Sequence, residues 1–437
     1  MTKFSDYCKQ LIFSLSFLLA MLSSVGSNAQ LTEYRAFKFD FAEQFDPLSE
    51  KQMAEEIKSI QLLQENLNDS DLQQIKYWNN AYPSYRWHQI LMEIGNEHQG
   101  HKNGGRVAIL HLAIYDAMAA VWKRKQKFNQ SPPYELNEGI TQFGIKTDYS
   151  LFVCEWSAAA AAAHQVISYY FPESKGKMDS LFSQFKEARL KTALQFPSDI
   201  EKGIKIGKAI AAEYINYAKS DGTKEIWNGK IPKGKNLWLG TPSKWDPMKA
   251  KWKPLTLESQ DQFLPGPPPN DWEEEMEELR QFNKTHQSSD IAWKWKSQPV
   301  FDLLIERKIL EYNLDAFESA FATALFHTAR FDATIAAWDG KYHYWTIRPF
   351  QYDPEFKPLL VQTPNFPGYP AGHTTVAGAL AEVLSYLFPR DERQFRQLAL
   401  ECSESRFEGG VHFRTDNEVG LEVGKEVGEF VIKNFDN

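Results

Sequence analysis

HLAIYDAMAAVW, from His111 to Trp122, returns as HTARFDATIAAW, from His327 to Trp338, with His, an aromatic, Asp, Ala, Ala and Trp in step. The offset is 216 residues (327 − 111). Further on, VISYYFP from Val166 matches VLSYLFP from Val383 at an offset of 217 (383 − 166). Two independent matches at nearly one offset mark a duplicated unit. Both copies are apolar on most sides over a helical length, with few β-branched alternations, so each reads as a buried helix. The expected class is all-α: two packed helix bundles from an internal duplication, with the active site in the C-terminal bundle.

Working outward, one helix is expected from about Gly105 to Trp122. A second runs from Phe152 to Tyr170, where Ala158 to Ala163 let neighbouring helices approach closely. A third opens at Ser198, which with Glu201 would form a capping box after Pro197, and ends near Gly222. Between the copies, Thr223 to Asn270 holds Trp227, Trp238, Trp245 and Trp252 among eight prolines. Such a stretch cannot be regular helix and reads as an extended connection with its rings as packing anchors. The resulting plan is a signal peptide at 1–29, an N-terminal helical region at 30–100, a degenerate first bundle at 101–222, the Trp/Pro-rich connection with a short helix at 223–300, and a second bundle at 301–437.

The chain has 437 residues and a formal charge of −8, which argues against a nucleic-acid partner. Lys3 and Lys9, the apolar run Leu11 to Leu22, and small residues ending at Ala29 follow the order of a secretory signal. An exported protein, periplasmic or extracellular, is expected. No later segment is expected to reach membrane-spanning length, so no stable membrane insertion would follow cleavage. Cys154 and Cys402 would remain, read as two buried thiols.

Three clusters carry chemistry. In WDGKYHYWTIRPF, Lys341 lies seven residues before Arg348, and the surrounding aromatics would bury the stems of both cations. In FPGYPAGHTTVAGALAEVL, Pro370 and Gly372 break the chain ahead of a strongly helical run. His373 then stands at a helix N-terminus, where unpaired N–H groups favour an anion. In SRFEGGVHFRTDNEVG, His412 and Asp416 are four apart and would share a helix face, the carboxylate fixing one ring nitrogen and leaving the other free. In the first copy Lys125 answers Lys341, but Pro132 faces Arg348, Trp156 faces His373 and Gln195 falls near His412. Only the second copy is expected to keep the charged set. Asp116, Asp332, His111 and His327 recur in both copies and read as structural hydrogen-bonding residues.

Lys-x6-Arg-Pro, Pro-x-Gly-His and Ser-Arg-x5-His-x3-Asp together resemble the three-part signature of the type 2 phosphatidic acid phosphatase and vanadium-dependent haloperoxidase superfamily. Trp338 and the FPGYPAGH stretch look most like its haloperoxidase branch. The resemblance implies that His412 bonds vanadate, or accepts a phosphoryl group, with Asp416 orienting it. It implies that Lys341, Arg348 and Arg406, with the N–H of Gly372, surround the oxyanion, that His373 handles protons, and that Trp338 and Phe366 line the pocket. Hydrogen peroxide and halide, or a phosphate ester, would be the reacting partners. Ala371 departs from the family pattern, which has serine there. Three readings stay open: a vanadate-dependent haloperoxidase, a vanadate-free acid phosphatase, and a non-catalytic oxyanion-binding relative.

Overall fold

The computed structural model describes residues 34–98, 105–146, 150–282, 284–297, 299–360 and 363–436; the expected signal peptide lies outside them. Among the described residues there is no β-strand, and one isolated bridge pairs Leu237 with Thr346. The helices of nine residues or more are α1 (Glu50–Glu65), α2 (Asp69–Asn79), α3 (Pro83–Glu97), α4 (Gly105–Lys125), α5 (Glu155–Tyr170), α6 (Lys175–Leu190) and α7 (Pro197–Lys219). After the connection come α8 (Glu273–Gln281), α9 (His286–Ser297), α10 (Val300–Glu311), α11 (Ala316–Tyr344), α12 (Gly372–Leu387), α13 (Glu392–Glu408) and α14 (Arg414–Asp436).

The duplication is explicit in these bounds. Helices α5, α6 and α7 begin at 155, 175 and 197, and α12, α13 and α14 begin at 372, 392 and 414, each 217 residues later. In the first copy α4 packs on α5 and α7, and α5 on α7. In the second, α11 packs on α12 and α14, and α12 on α14. The copies meet through α4 and α11. The pairs α5–α7 and α12–α14 touch at backbone distance. A Cβ on Gly207 would lie 2.1 Å from the Ala158 carbonyl oxygen, and one on Gly424 would lie 2.1 Å from that of Thr375. Only glycine fits such a crossing.

The repeat reaches further than the helices. Asp116 on α4 accepts the N–H groups of Phe37, Lys38 and Phe39 at 2.6, 3.1 and 2.9 Å. Asp332 on α11 accepts those of Leu255 and Thr256, both at 2.8 Å. Each buried aspartate thus fastens an extended segment across its own bundle, satisfying backbone donors that a non-helical chain leaves open.

Three expectations need correction. The box of Ser198 and Glu201 is absent: Pro197, whose fixed φ suits the first helical position, opens α7, and the amide and hydroxyl of Ser198 donate to Glu56 on α1, both at 3.1 Å. Helix α4, 21 residues long, is apolar enough to cross a membrane by length and composition, contrary to the expectation for segments after residue 29. In this fold 83% of its apolar window is buried inside the protein, as befits a core helix. Finally, Trp238 and Trp252 are buried anchors, Trp252 stacking on Phe331 with centroids 5.7 Å apart, but Trp245 is 56% exposed. A connection laid over a surface buries one of its sides, and Trp245 falls on the other.

Candidate active site

The residues singled out at 338–416 converge, brought together by the C-terminal end of α11, the loop before α12, the end of α13 and the start of α14. Trp345, at φ 54°, closes α11 by donating its N–H to the Lys341 carbonyl at 2.9 Å. Lys341 therefore sits in the last turn, with its side chain aimed at the 367–370 loop. Its Nζ donates to the carbonyls of Pro367, Gly368 and Pro370 at 3.0, 2.6 and 2.5 Å. Arg348 donates through Nε to Phe366 O at 2.8 Å and through Nη1 to Val411 O at 2.6 Å. The same Nη1 stands 3.2 Å from Nε2 of His412. Arg406 donates to Ala292 O at 2.7 Å and to the Ser405 hydroxyl at 3.1 Å.

His412 is placed differently from the expectation. It lies in a bend before α14 rather than on a helix face, because Gly410, at φ +72°, turns the chain sharply after α13. The expected pair nevertheless forms: Nδ1 of His412 is 3.0 Å from Oδ2 of Asp416, which also accepts the Phe413 N–H at 3.1 Å. With Nδ1 protonated against the carboxylate, Nε2 presents its lone pair toward Arg348. The N–H of Ala371 donates to the backbone oxygen of Asp416 at 2.8 Å and ties the start of α14 to that of α12.

Lys341, Arg348, His412 and Asp416 are buried, at 0, 0, 2 and 0% exposure, and Arg406 at 3%. Burial pushes Arg348 down to about 10 and lowers Lys341 and Arg406 as well. His412 is driven well below the imidazole range, by burial first and then by the charges of Arg348 and Lys341, and is neutral. Burial raises Asp416 to about 7, although Lys341 and Arg348 pull it back. Three cations thus share the pocket with one carboxylate. Such an excess of buried positive charge is relieved by an oxyanion, so the donor set fits a compact tetrahedral anion.

A cavity of about 360 Å³ lies at the start of α12, lined by Trp338, Gly372, His373, Trp295, Phe301 and Cys402. His373, in the first turn of α12, has a face open to solvent, unlike the groups behind it. Its pKa is lowered, by the surrounding protein first and then by Arg406, Lys341 and Arg348; water screens its outer edge, and the downward direction follows from the three cations. Trp338 and Phe366 lie with centroids 5.3 Å apart, and the Phe366 ring faces Lys341 and Arg348 at 5.4 and 5.2 Å. Gly372 is tightly placed, since a Cβ there would be 3.0 Å from Trp338 and 3.4 Å from Lys341. Sequence reasoning missed Trp295, Cys402 and Lys249, whose Nζ caps the Trp338 ring at 4.3 Å. Cys402 had a readable signal, one helical turn before Arg406 on α13. Cys402 and Cys154 are both buried and free.

The sequence model of the PAP2 superfamily matches residues 317–434, the stretch that builds this cluster. Residues 317–434 belong to the PAP2 superfamily. The fold around this PAP2 module is similar to that of a bacterial vanadium-dependent iodoperoxidase, with 21% identity over 90% of this chain and 98% of that one and a TM-score of 0.58. It is also similar to a holo-type bacterial vanadium-dependent chloroperoxidase, with 16% identity over 91% of this chain and 100% of that one and a TM-score of 0.56. An apo-type bacterial vanadium-dependent chloroperoxidase shares 15% identity over 76% of this chain and 94% of that one, with a TM-score of 0.56. At these identities the likeness is one of fold. No curated protein sequence matches the chain.

The first copy lacks counterparts of Arg348, His373 and His412, as expected, but keeps more of the charged set than Lys125 alone. At the repeat offsets it retains Lys125 for Lys341, Arg189 for Arg406 (406 − 189 = 217) and Asp199 for Asp416 (416 − 199 = 217). Arg189 and Asp199 lie outside the two stretches in which the copies match visibly.

Proposed function

We propose that the chain is a vanadate-dependent haloperoxidase, oxidising halide with hydrogen peroxide, with His412 as the residue that bonds vanadium. The observation that carries this reading is the neutral His412 ring, anchored on Asp416 at 3.0 Å and presenting Nε2 into a buried cluster of three cations. Likeness of fold to vanadium-dependent peroxidases supports it. Vanadate, when bound, supplies a Lewis-acid centre that activates peroxide toward a halide.

The residues act around that chemistry. Asp416 holds the Nδ1 proton, so Nε2 of His412 stays a donor of its lone pair. Lys341, Arg348 and Arg406, with the Gly372 N–H at the start of α12, hold the oxyanion oxygens. The Lys341 and Arg348 donors rest on backbone carbonyls, and they would exchange some of those bonds for the oxyanion rather than stand as bare cations. His373, neutral and at the cavity wall, moves a proton through an imidazole nitrogen, and its lowered pKa keeps it a base to the acid side of the usual ~6.5. Trp338 and Phe366 keep water from the cations.

Ala371 favours a second reading. It is 0% exposed and brings no hydroxyl donor to the oxyanion, so the same pocket would serve an acid phosphatase with His412 as nucleophile and with His373, once a bound phosphate offsets the cations that lower its pKa, protonating the leaving alcohol. We place either activity outside the cytoplasm, on the pattern of residues 1–29. Metal-free protein, assayed with and without orthovanadate for iodide and bromide oxidation and for aryl phosphate hydrolysis, separates the readings. Vanadate-dependent halide oxidation is expected; phosphate hydrolysis inhibited by vanadate, without oxidation, would establish the phosphatase instead.

A further inference from the structure

His88 on α3, His111 on α4 and His327 on α11 meet where the two copies of the repeat pack together. We propose that these three histidines form a binding site for a divalent transition-metal ion of the zinc type, with a further coordination position open to the adjoining cavity. Each ring offers one nitrogen, and the three nitrogens lie within 4.8 Å of one another. In a tetrahedral zinc site, ligand nitrogens ~2.0–2.1 Å from the metal stand about 3.3 Å apart, so the set has to draw in by at most ~1.5 Å. Nδ1 of His88 is already 2.9 Å from Nε2 of His111, and the His111 and His327 rings stack at 4.5 Å.

Hydrogen bonding alone does not account for the cluster. Nδ1 of His111 and Nδ1 of His327 are buried without a partner, which native interiors ordinarily avoid. The two residues are 1 and 5% exposed. Burial lowers the pKa of all three rings, so they hold the neutral, lone-pair form that a metal requires. Of the charged groups that face His88, Asp302 favours a cation and Arg330, paired with Asp302 at 2.7 Å, opposes it. A cavity of about 610 Å³ opens onto all three histidines, with Asp302 and Glu306 in its wall, leaving room for a water or small ligand on the ion. An all-imidazole set suits zinc, copper or nickel rather than magnesium or calcium, which need oxygen. His88 comes from the N-terminal region, and none of the three belongs to the oxyanion cluster.

The test uses the whole chain, stripped with a chelator and titrated with zinc chloride by calorimetry, and with cobalt(II) followed by visible absorption. One zinc per chain, a raised Tm and the intense cobalt bands of four- or five-coordination are expected. His88→Ala and His327→Gln should each weaken zinc by at least about tenfold with unchanged far-UV circular dichroism, while His412→Ala binds zinc as the wild type does. Absence of stoichiometric zinc in the wild type, or equal affinity in both histidine variants, overturns the site, as does zinc lost on His412→Ala. Should a variant fail to fold, the wild-type cobalt spectrum decides, because weak six-coordinate bands would overturn the four- or five-coordinate site proposed.

Discussion

At the N-terminus of α5 the first copy holds Glu155 where the second, at the start of α12, holds Gly372 (372 − 155 = 217). Glu155 lies 3.0 Å from Lys125, the counterpart of Lys341, with the two side chains 0 and 1% exposed. Arg189, the counterpart of Arg406, sits over the Trp156 ring at 4.9 Å and donates to Asn79 at 2.6 Å. Asp199 accepts from Gln130 at 2.6 Å and from Lys202 at 2.9 Å. One copy therefore supplies an anion beside its buried lysine from this helix start, and the other has a glycine there, the position our proposal gives to a ligand. The backbone frame is common to both: Cys154 N–H donates to Asp199 O at 3.0 Å as Ala371 N–H does to Asp416 O at 2.8 Å. A few side chains on a duplicated scaffold separate a closed structural core from the site proposed to react.

Removing the ring proposed to bond vanadium, one of the residues with no charged counterpart in the first copy, should have the largest effect. His412→Ala is expected to lose orthovanadate binding to below detection and to abolish turnover, with circular dichroism unchanged; wild-type affinity by calorimetry would end the comparison. The converse is to close the second site in the manner of the first. In Gly372→Glu the new carboxylate would pair with Lys341, with slight movement of Trp338, and an acidic residue suits a helix start. Vanadate binding should vanish while Tm holds, and vanadate retained at wild-type affinity would show that Glu155 is not what closes the first copy.

Opening the closed core is expected to act on stability instead. Glu155→Gln removes the carboxylate 3.0 Å from the buried Lys125 and should cost about 3–5 kcal/mol in urea unfolding, largely recovered by the double variant Lys125→Met, Glu155→Gln. An unchanged unfolding midpoint in the single variant would mean that the ion pair is replaceable by Ser150 O, to which Lys125 also donates at 2.7 Å. A smaller effect follows from Asp416→Asn, which keeps the shape but weakens the hold on the His412 proton. Vanadate affinity should fall about 10–100-fold.

The smallest expected effect is the most discriminating. If the side chain at 371 faces the oxyanion, Ala371→Ser adds a hydrogen bond and tightens vanadate about tenfold, ~1.4 kcal/mol. The first copy points elsewhere: Sγ of Cys154, in the equivalent position, accepts the Ser157 N–H at 3.4 Å as a helix cap. A serine behaving the same way would raise stability by ~1 kcal/mol without changing affinity. Paired calorimetry and thermal unfolding on both forms distinguish the two.

Much of this contrast was legible in the residues. Lys341, Arg348, His373, Arg406, His412 and Asp416 could be named because the three motifs together resemble a superfamily signature; each taken alone reads more readily as a solvated pair, a packed ring or a helix-surface contact. What held them could not be read. The carbonyls that receive Lys341 lie 26 to 29 residues away, and the one that receives Arg406 lies 114 residues away, and a carbonyl carries no side-chain signature. His88 was invisible for a related reason, since nothing near it in sequence announces that α3 will lie against both copies of the repeat.

The sequence by itself determined the helical class, the duplication at 216 to 217 residues and the chemical types available to bind an oxyanion, because periodicity and residue identity are local properties. Tertiary structure alone decided which buried cations have a counter-charge from the chain and which await one. It also decided that the expected pair of His412 and Asp416 forms across a bend rather than along a helix face, and that three histidines from three helices meet. Those outcomes depend on groups far apart in the chain being buried together, where low polarity makes each unpaired charge or lone pair costly enough to govern what the site can hold.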